Sequence, residues 1–281
     1  MLLTLGVVNA AFAQFTPALL QNASYWGDGK AEFDFYDAQI MRGGHPRQCE
    51  ALMIFVREFV DPITLARVDH QEHADAMATI RMNQIFTMSR GMFVEQQSLT
   101  ANWRLNVFSL AHLSSVGTDS TGNFSKRLEE KREANSASWF FIYDTYRDGA
   151  GFDRIVAPPN GFFYDELPLR VRTIDFSKQK EEFEIQLAPS MIGSRKDPIV
   201  FRTAKLSFKT SERKIDISVQ HSAGKDTFVL DGQFPFLLRE WSAADGSHLK
   251  MKNSLKADYW NYNKPGDRER ALKNPMLRHP D

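Results

Sequence analysis

From Ser24 onward apolar and polar residues alternate with a period of two, as β-strands with one covered face do. In AEFDFYDAQ (31–39), Phe33, Phe35 and Asp37 share one face, and Glu32, Asp34 and Tyr36 the other. Gly43-Gly44-His45-Pro46 is turn chemistry, and CEALMIFVRE (49–58) reads as a strand covered on both faces, ended by Asp61-Pro62. Residues 69–78 lack a clean period and read as a loop or a short helix. TIRMNQIF, GMFVEQQSL and TANWRLNVFSLAHL follow at hairpin spacing. In the last of these, Trp103, Leu105, Val107, Ser109 and Ala111 alternate with Arg104, Asn106, Phe108, Leu110 and His112.

GTDSTG (117–122) is a further turn. The stretch 123–133 contains KRLEEKRE, which has helix-forming composition and i,i+4 charge pairs. Because it lies between a turn and the aromatic strand SWFFIYDTYR, it reads rather as a polar strand. A break at 157–161 divides the chain into two halves. Beyond it LPLRVRTIDF, EFEIQLAPS, IVFRTAKLSFKT, KIDISVQHS, DTFVLDG, FPFLLREWSAADG and HLKMKNSLKADYW read as strands, with an Asp-Gly hairpin signal at Asp245-Gly246. About a dozen strand candidates and no long amphipathic helix predict an all-β, mainly antiparallel fold: a large twisted sheet forming a half-barrel, barrel or sandwich, with few short helices.

The ends read differently. Residues 1–13 (MLLTLGVVNAAFA) form an apolar run closing on an A-x-A triplet, the pattern of a partial signal peptide cleaved after Ala13. That predicts an exported protein, periplasmic or secreted. Residues 14–23 read as a linker, 24–262 as a single β-rich domain and 263–281, with three prolines, as a loosely ordered tail.

Composition narrows the function. Lys+Arg and Asp+Glu each number 35, so the net charge of zero gives no electrostatic reason to expect nucleic acid. A single cysteine, Cys49, leaves no internal disulfide or cysteine-based metal site, and a thiol opening an apolar strand reads as an inert core residue. No run is long enough to predict an integral membrane span. Nucleophile-elbow, P-loop and G-x-G-x-x-G motifs are absent. S-x-x-K occurs at Ser177, Ser211 and Ser247 without its partner motifs. In Asp69-His70-Gln71-Glu72-His73-Ala74-Asp75, His70 and His73 could share one side of a helix as metal ligands, or the stretch could be a solvated loop. Asp165-Glu166 would point to opposite faces of an extended chain and so would not form a glycosidase pair by themselves. No cofactor is implied.

Aromatic residues remain. The 22 Phe exceed ordinary usage, and most aromatic side chains belong between β layers. Tyr25-Trp26 and Tyr259-Trp260-Asn261-Tyr262 flank the domain among polar residues. Tyr25, Trp26, Tyr259, Trp260 and Tyr262 are therefore rim-packing groups or candidate ligand contacts.

Three stretches carry a resemblance: Tyr25-Trp26-Gly27-Asp28-Gly29-Lys30-Ala31-Glu32; Phe163-Tyr164-Asp165-Glu166-Leu167-Pro168; and Phe234-Pro235-Phe236-Leu237-Leu238-Arg239-Glu240-Trp241 leading to Ala257-Asp258-Tyr259-Trp260. Together they resemble an uncharacterised family of exported bacterial β-rich proteins, similar to periplasmic domains of unknown function with a lipoprotein-carrier-like curled sheet. The resemblance implies a cup with an apolar concave face and brings no catalytic residues. The expected function is non-enzymatic binding, in a sheet concavity, of a lipid, another amphipathic ligand or a cell-envelope protein. The alternative is a metal-assisted or carboxylate-based hydrolase of envelope material.

Overall fold

Alternation along the chain becomes a single 15-stranded sheet in the computed structural model, which describes residues 15–69, 73–120, 122–133, 136–158, 161–177 and 181–279. The leader reading of 1–13 and His70 lie outside the described residues. The first half is a meander of β1 (Ala31–Arg42), β2 (His45–Val60), β3 (Met77–Arg90), β4 (Phe93–Arg104), β5 (Ser109–Asp119), β6 (Gly122–Glu133), β7 (Ser136–Thr145) and β8 (Gly149–Ile155). The second holds β9 (Gly161–Phe163), β10 (Glu182–Ala188), β11 (Arg202–Thr210), β12 (Lys214–His221), β13 (Gly224–Asp231), β14 (Leu238–Ser242) and β15 (His248–Ala257). The halves join where β1 pairs antiparallel with β15, and each meander runs outward from that seam, to β8 on one side and β9 on the other. Every pairing is antiparallel except the parallel one between β9 and β10.

Inward-facing residues of both meanders meet in one core. Tyr36 of β1, Trp103 of β4, Leu128 of β6, Ile185 of β10 and Phe228 of β13 belong to the same buried cluster. The ambiguous stretch 123–133 is strand β6: Phe124, Lys126 and Leu128 point inward, and its backbone pairs with β5 on one side and β7 on the other. Two paired neighbours satisfy all of its amides, and that outweighs local helix preference.

Several expectations are corrected. LPLRVRTIDF is not a strand. Residues Tyr164–Glu166 form a 3-10 turn, α2 (Leu167–Arg170) follows, and Val171–Thr173 form another 3-10 turn. From Leu167 to Ile174 all but half-buried Pro168 are buried, so the segment is a plug inside the curled sheet. TANWRLNVFSLAHL is not one strand either: β4 stops at Arg104, residues 105–108 turn, and the Arg104 guanidinium closes the hairpin on the Leu110 carbonyl at 2.8 Å. In β1 the face turned inward is the acidic one. Glu32 and Asp34 are fully buried with Tyr36, whereas Phe33 and Phe35 lie half-buried on the convex side under Tyr259 and Arg268. In β2 only one face is fully buried; Leu52 and Ile54 on the other are half-exposed.

The two ends of the chain are also folded onto the sheet where described. Residues 15–23, read as linker, bury Phe15 and Leu20 in the core, and the Thr16 amide donates to the Thr173 carbonyl at 2.7 Å. α1 (Ala23–Trp26) follows them. In the tail, read as loosely ordered, α3 (Asp267–Lys273) lies against the convex face with Asp267 and Ala271 buried, and Arg278 bridges to Leu255. No helix among the described residues is long and apolar enough to cross a membrane.

Candidate functional site

The plug divides the interior into a sealed part and an open part. In the sealed part Arg172 donates from both terminal nitrogens to Glu32, at 2.6 and 3.0 Å. Its guanidinium also lies over Phe55 and Trp26. Burial alone would raise the Glu32 carboxyl, but Arg172 holds it below the usual carboxylate range. Asp34 beside it is pushed well above that range by burial and by the Glu32 charge, and accepts from Ser254 Oγ at 2.6 Å. Glu166 accepts from Arg170, from Trp103 Nε1 at 2.8 Å and from the Phe163 amide at 2.8 Å. Arg170 stacks 3.9 Å from the Phe162 ring centroid.

The open part is a cavity of about 370 Å³ at the end of the sheet where the β1–β2, β12–β13 and β14–β15 turns gather. Met53, Phe86, Ile192, Phe228, Leu238 and Leu249 give it apolar walls. Its polar groups come from four elements. The 3-10 turn places Tyr164 and Asp165, β12 ends on His221, β13 carries Asp226 and β14 carries Trp241. Tyr164 donates its hydroxyl to Asp226 and accepts from Trp241 Nε1 at 3.1 Å. Asp226 also accepts the Ala244 amide at 2.8 Å, and His221 Nε2 faces it at 3.2 Å. Because His221 Nδ1 accepts from the Ala223 amide, its neutral ring carries the proton on Nε2, toward Asp226. Burial and the Asp226 charge push the Tyr164 phenol far above its ordinary range, so it stays a donor.

Asp165 sits deeper. It accepts from Ser190 Oγ at 2.5 Å and from the Met191 amide at 2.6 Å, while Gln84 donates to its backbone carbonyl. Burial outweighs these bonds and the nearby Lys126, raising its carboxyl to about 6. Burial in turn lowers the Lys126 ammonium to about 8. Asp165 is thus a buried acid that changes charge in mildly acidic solution. The other polar groups of the cavity are engaged with one another, an arrangement suited to holding a fixed surface rather than relaying a proton.

The residues singled out from the sequence lie elsewhere. Tyr25 and Trp26 pack edge to face at 4.8 Å; Tyr25 donates to Glu32 and Trp26 Nε1 to the Leu19 carbonyl at 3.1 Å. Tyr259 stacks on Phe33 and on the exposed Trp260, and Tyr262 is half-buried. None of the five lines the cavity. His73 is exposed in a loop, and among the described residues no group of three His, Cys, Asp or Glu gathers as a metal site. Cys49 is half-buried, and burial pushes its thiol up to about 11, out of the reactive range. Of the cavity's polar groups, only Asp165 and the neighbouring Tyr164 and Trp241 carried any signal, as part of the aromatic and acidic clusters. Asp226 and His221 had none, because the fold brings them to residue 164 from a distant hairpin.

No family model matches the sequence, and no curated protein matches it. A crystal structure of a beta-barrel-like protein of domain of unknown function DUF1849 from Brucella abortus is similar, with TM-score 0.49 and 10% identity. The match covers 82% of this chain and 98% of that chain. Within the described residues, the mainly antiparallel 15-stranded sheet with few short helices establishes the all-β class directly.

Proposed function

We propose that this chain is an exported, periplasmic or secreted, non-enzymatic binding protein whose cavity takes an apolar or amphipathic molecule. One observation carries the reading: an aliphatic and aromatic chamber of about 370 Å³ opens beside a plug that fills the rest of the interior. That volume lies in the range of small-molecule sites, and a few converging polar groups on apolar walls are their usual make-up. Each methylene buried there supplies roughly 0.8 kcal/mol, so a short acyl segment binds without any sequence motif. Ile192→Trp fills the chamber from a half-buried wall position. A fluorescent acyl probe should bind the parent protein and lose affinity at least about tenfold in this variant. Equal binding by both, or by neither, rejects the reading.

A second reading, a carboxylate-based hydrolase, is supported by the presence of Asp165 and Asp226 in one cavity, with Asp165 raised to about 6. Hydrolysis of a model ester or glycoside that vanishes in both Asp165→Asn and Asp226→Asn would favour it over simple binding.

A further inference from the structure

The end of the sheet that opens the cavity also carries an apolar tip. Arg42 pairs with His45 at the β1–β2 turn, and Arg90 with Phe93 at the β3–β4 turn. The Cys49–Met88 pair sets those two turns side by side, and the Gln39–His248 pair sets the β14–β15 turn on the same end. Ile40, Met41, Arg42, Ala223, Ala244 and Asp245 at these turns line the cavity. The cavity mouth and the β3–β4 tip therefore share one end of the molecule.

At that tip Met92 is 102% exposed, Val94 59% and Phe93 37%. Single exposed apolar residues are ordinary, but three in succession at the apex of a hairpin are costly unless something covers them. Gly91, at φ +61°, makes the tight turn that holds them outward. The surrounding sequence is cationic: Arg42, His45, Arg47 and Arg90 lie in the two adjacent turns, with no Asp or Glu from 40 to 49 or from 88 to 94. Three side chains on a protruding apex cannot supply the roughly 800 Å² per partner of a stable protein interface. They suit insertion into the headgroup region of a bilayer, where a few apolar side chains and adjacent basic groups suffice.

We propose that this end docks on an anionic lipid bilayer. Met92, Phe93 and Val94 enter the interface, the basic residues of the two turns meet acidic headgroups, and the cavity mouth is held against the membrane. Docking resides in the tip itself and holds whatever the cavity carries.

The test is flotation of the full chain with vesicles of phosphatidylcholine plus phosphatidylglycerol, and with phosphatidylcholine alone. The parent protein should float with the anionic vesicles. The Met92→Ser/Phe93→Ser variant should lose binding at least about tenfold, and Arg47→Gln a few-fold, about fivefold at most. Ile63→Ser/Val107→Ser, which removes apolar residues exposed elsewhere on the molecule, should bind as the parent does. Ile192→Trp should also float normally, which separates this proposal from the cavity reading. Unchanged circular dichroism would show that the tip variants remain folded. The proposal is overturned if the parent stays unbound with both vesicles, if the tip variant floats like the parent, or if the Ile63/Val107 control loses as much. Capture of a protein through the tip without flotation overturns it as well.

Discussion

The sealed and open parts of the interior solve the burial of charge in opposite ways. In the sealed part each carboxylate has a guanidinium: Glu32 has Arg172, Glu166 has Arg170, and both arginines are also roofed by aromatic rings. Around the cavity neither Asp165 nor Asp226 has an arginine partner; hydroxyls and backbone amides hold them instead. Ion pairs with bidentate geometry lock a plug in place. Carboxylates held by neutral donors remain responsive to pH and leave space beside them. The contrast is one between a structural region and a region where a ligand can be accommodated.

The comparison can be broken most forcefully at Arg172. Arg172→Met should cost about 3–5 kcal/mol, because Glu32 is left buried without its counter-ion. Glu32, held low in the parent, stabilises the fold above its unfolded pKa and loses that contribution in acid. In the variant a lone buried Glu32 favours its protonated form, so the deficit in urea midpoint should shrink between neutral pH and about pH 4. A deficit independent of pH would contradict the assignment.

Asp165 has the opposite sign. Its folded pKa, raised to about 6, exceeds the unfolded value, so its contribution is complete below the unfolded pKa and lost as pH rises through about 6. The loss amounts to up to about 3 kcal/mol. Asp165→Asn should flatten the stability profile across that window in thermal melts at stepped pH. An unaltered profile would place the titration elsewhere.

A smaller effect, about 2 kcal/mol, is expected for Arg170→Met, since Glu166 keeps the Trp103 indole and the Phe163 amide. A cost as large as that of Arg172→Met in urea unfolding would show that those two donors contribute little. Least of all in stability, under about 1 kcal/mol, is expected for Ile192→Trp, which enters existing space. A melting point far below the parent's would mean that the chamber is narrower than drawn.

The sheet was legible in the sequence because most strands bury one face, so period-two alternation survives in the residues themselves. The plug was not. Leu167, Leu169, Val171 and Thr173 alternate with Pro168, Arg170 and Arg172, and on a half-covered strand that pattern would be decisive. Here both sets are turned into the interior, the arginines being neutralised by glutamates far along the chain. Local signals did point to a helix start: Asp165 and Glu166 precede Pro168 in the first turn. The same reasoning explains β1, where inward acids look like an outward face until Arg172 is brought opposite them. The cavity escaped detection because its polar groups come from three separate stretches and form no motif in any of them. The aromatic clusters at the two ends were conspicuous as sequence, yet they pack over Glu32 and Phe33 rather than around the chamber.

The most direct measurement is native mass spectrometry of the parent protein purified without detergent, beside Ile192→Trp, before and after organic extraction. A mass excess on the parent that extraction removes and that the variant lacks is the expected result. A parent at its bare chain mass that also takes up no added acyl probe would contradict a ligand-holding chamber.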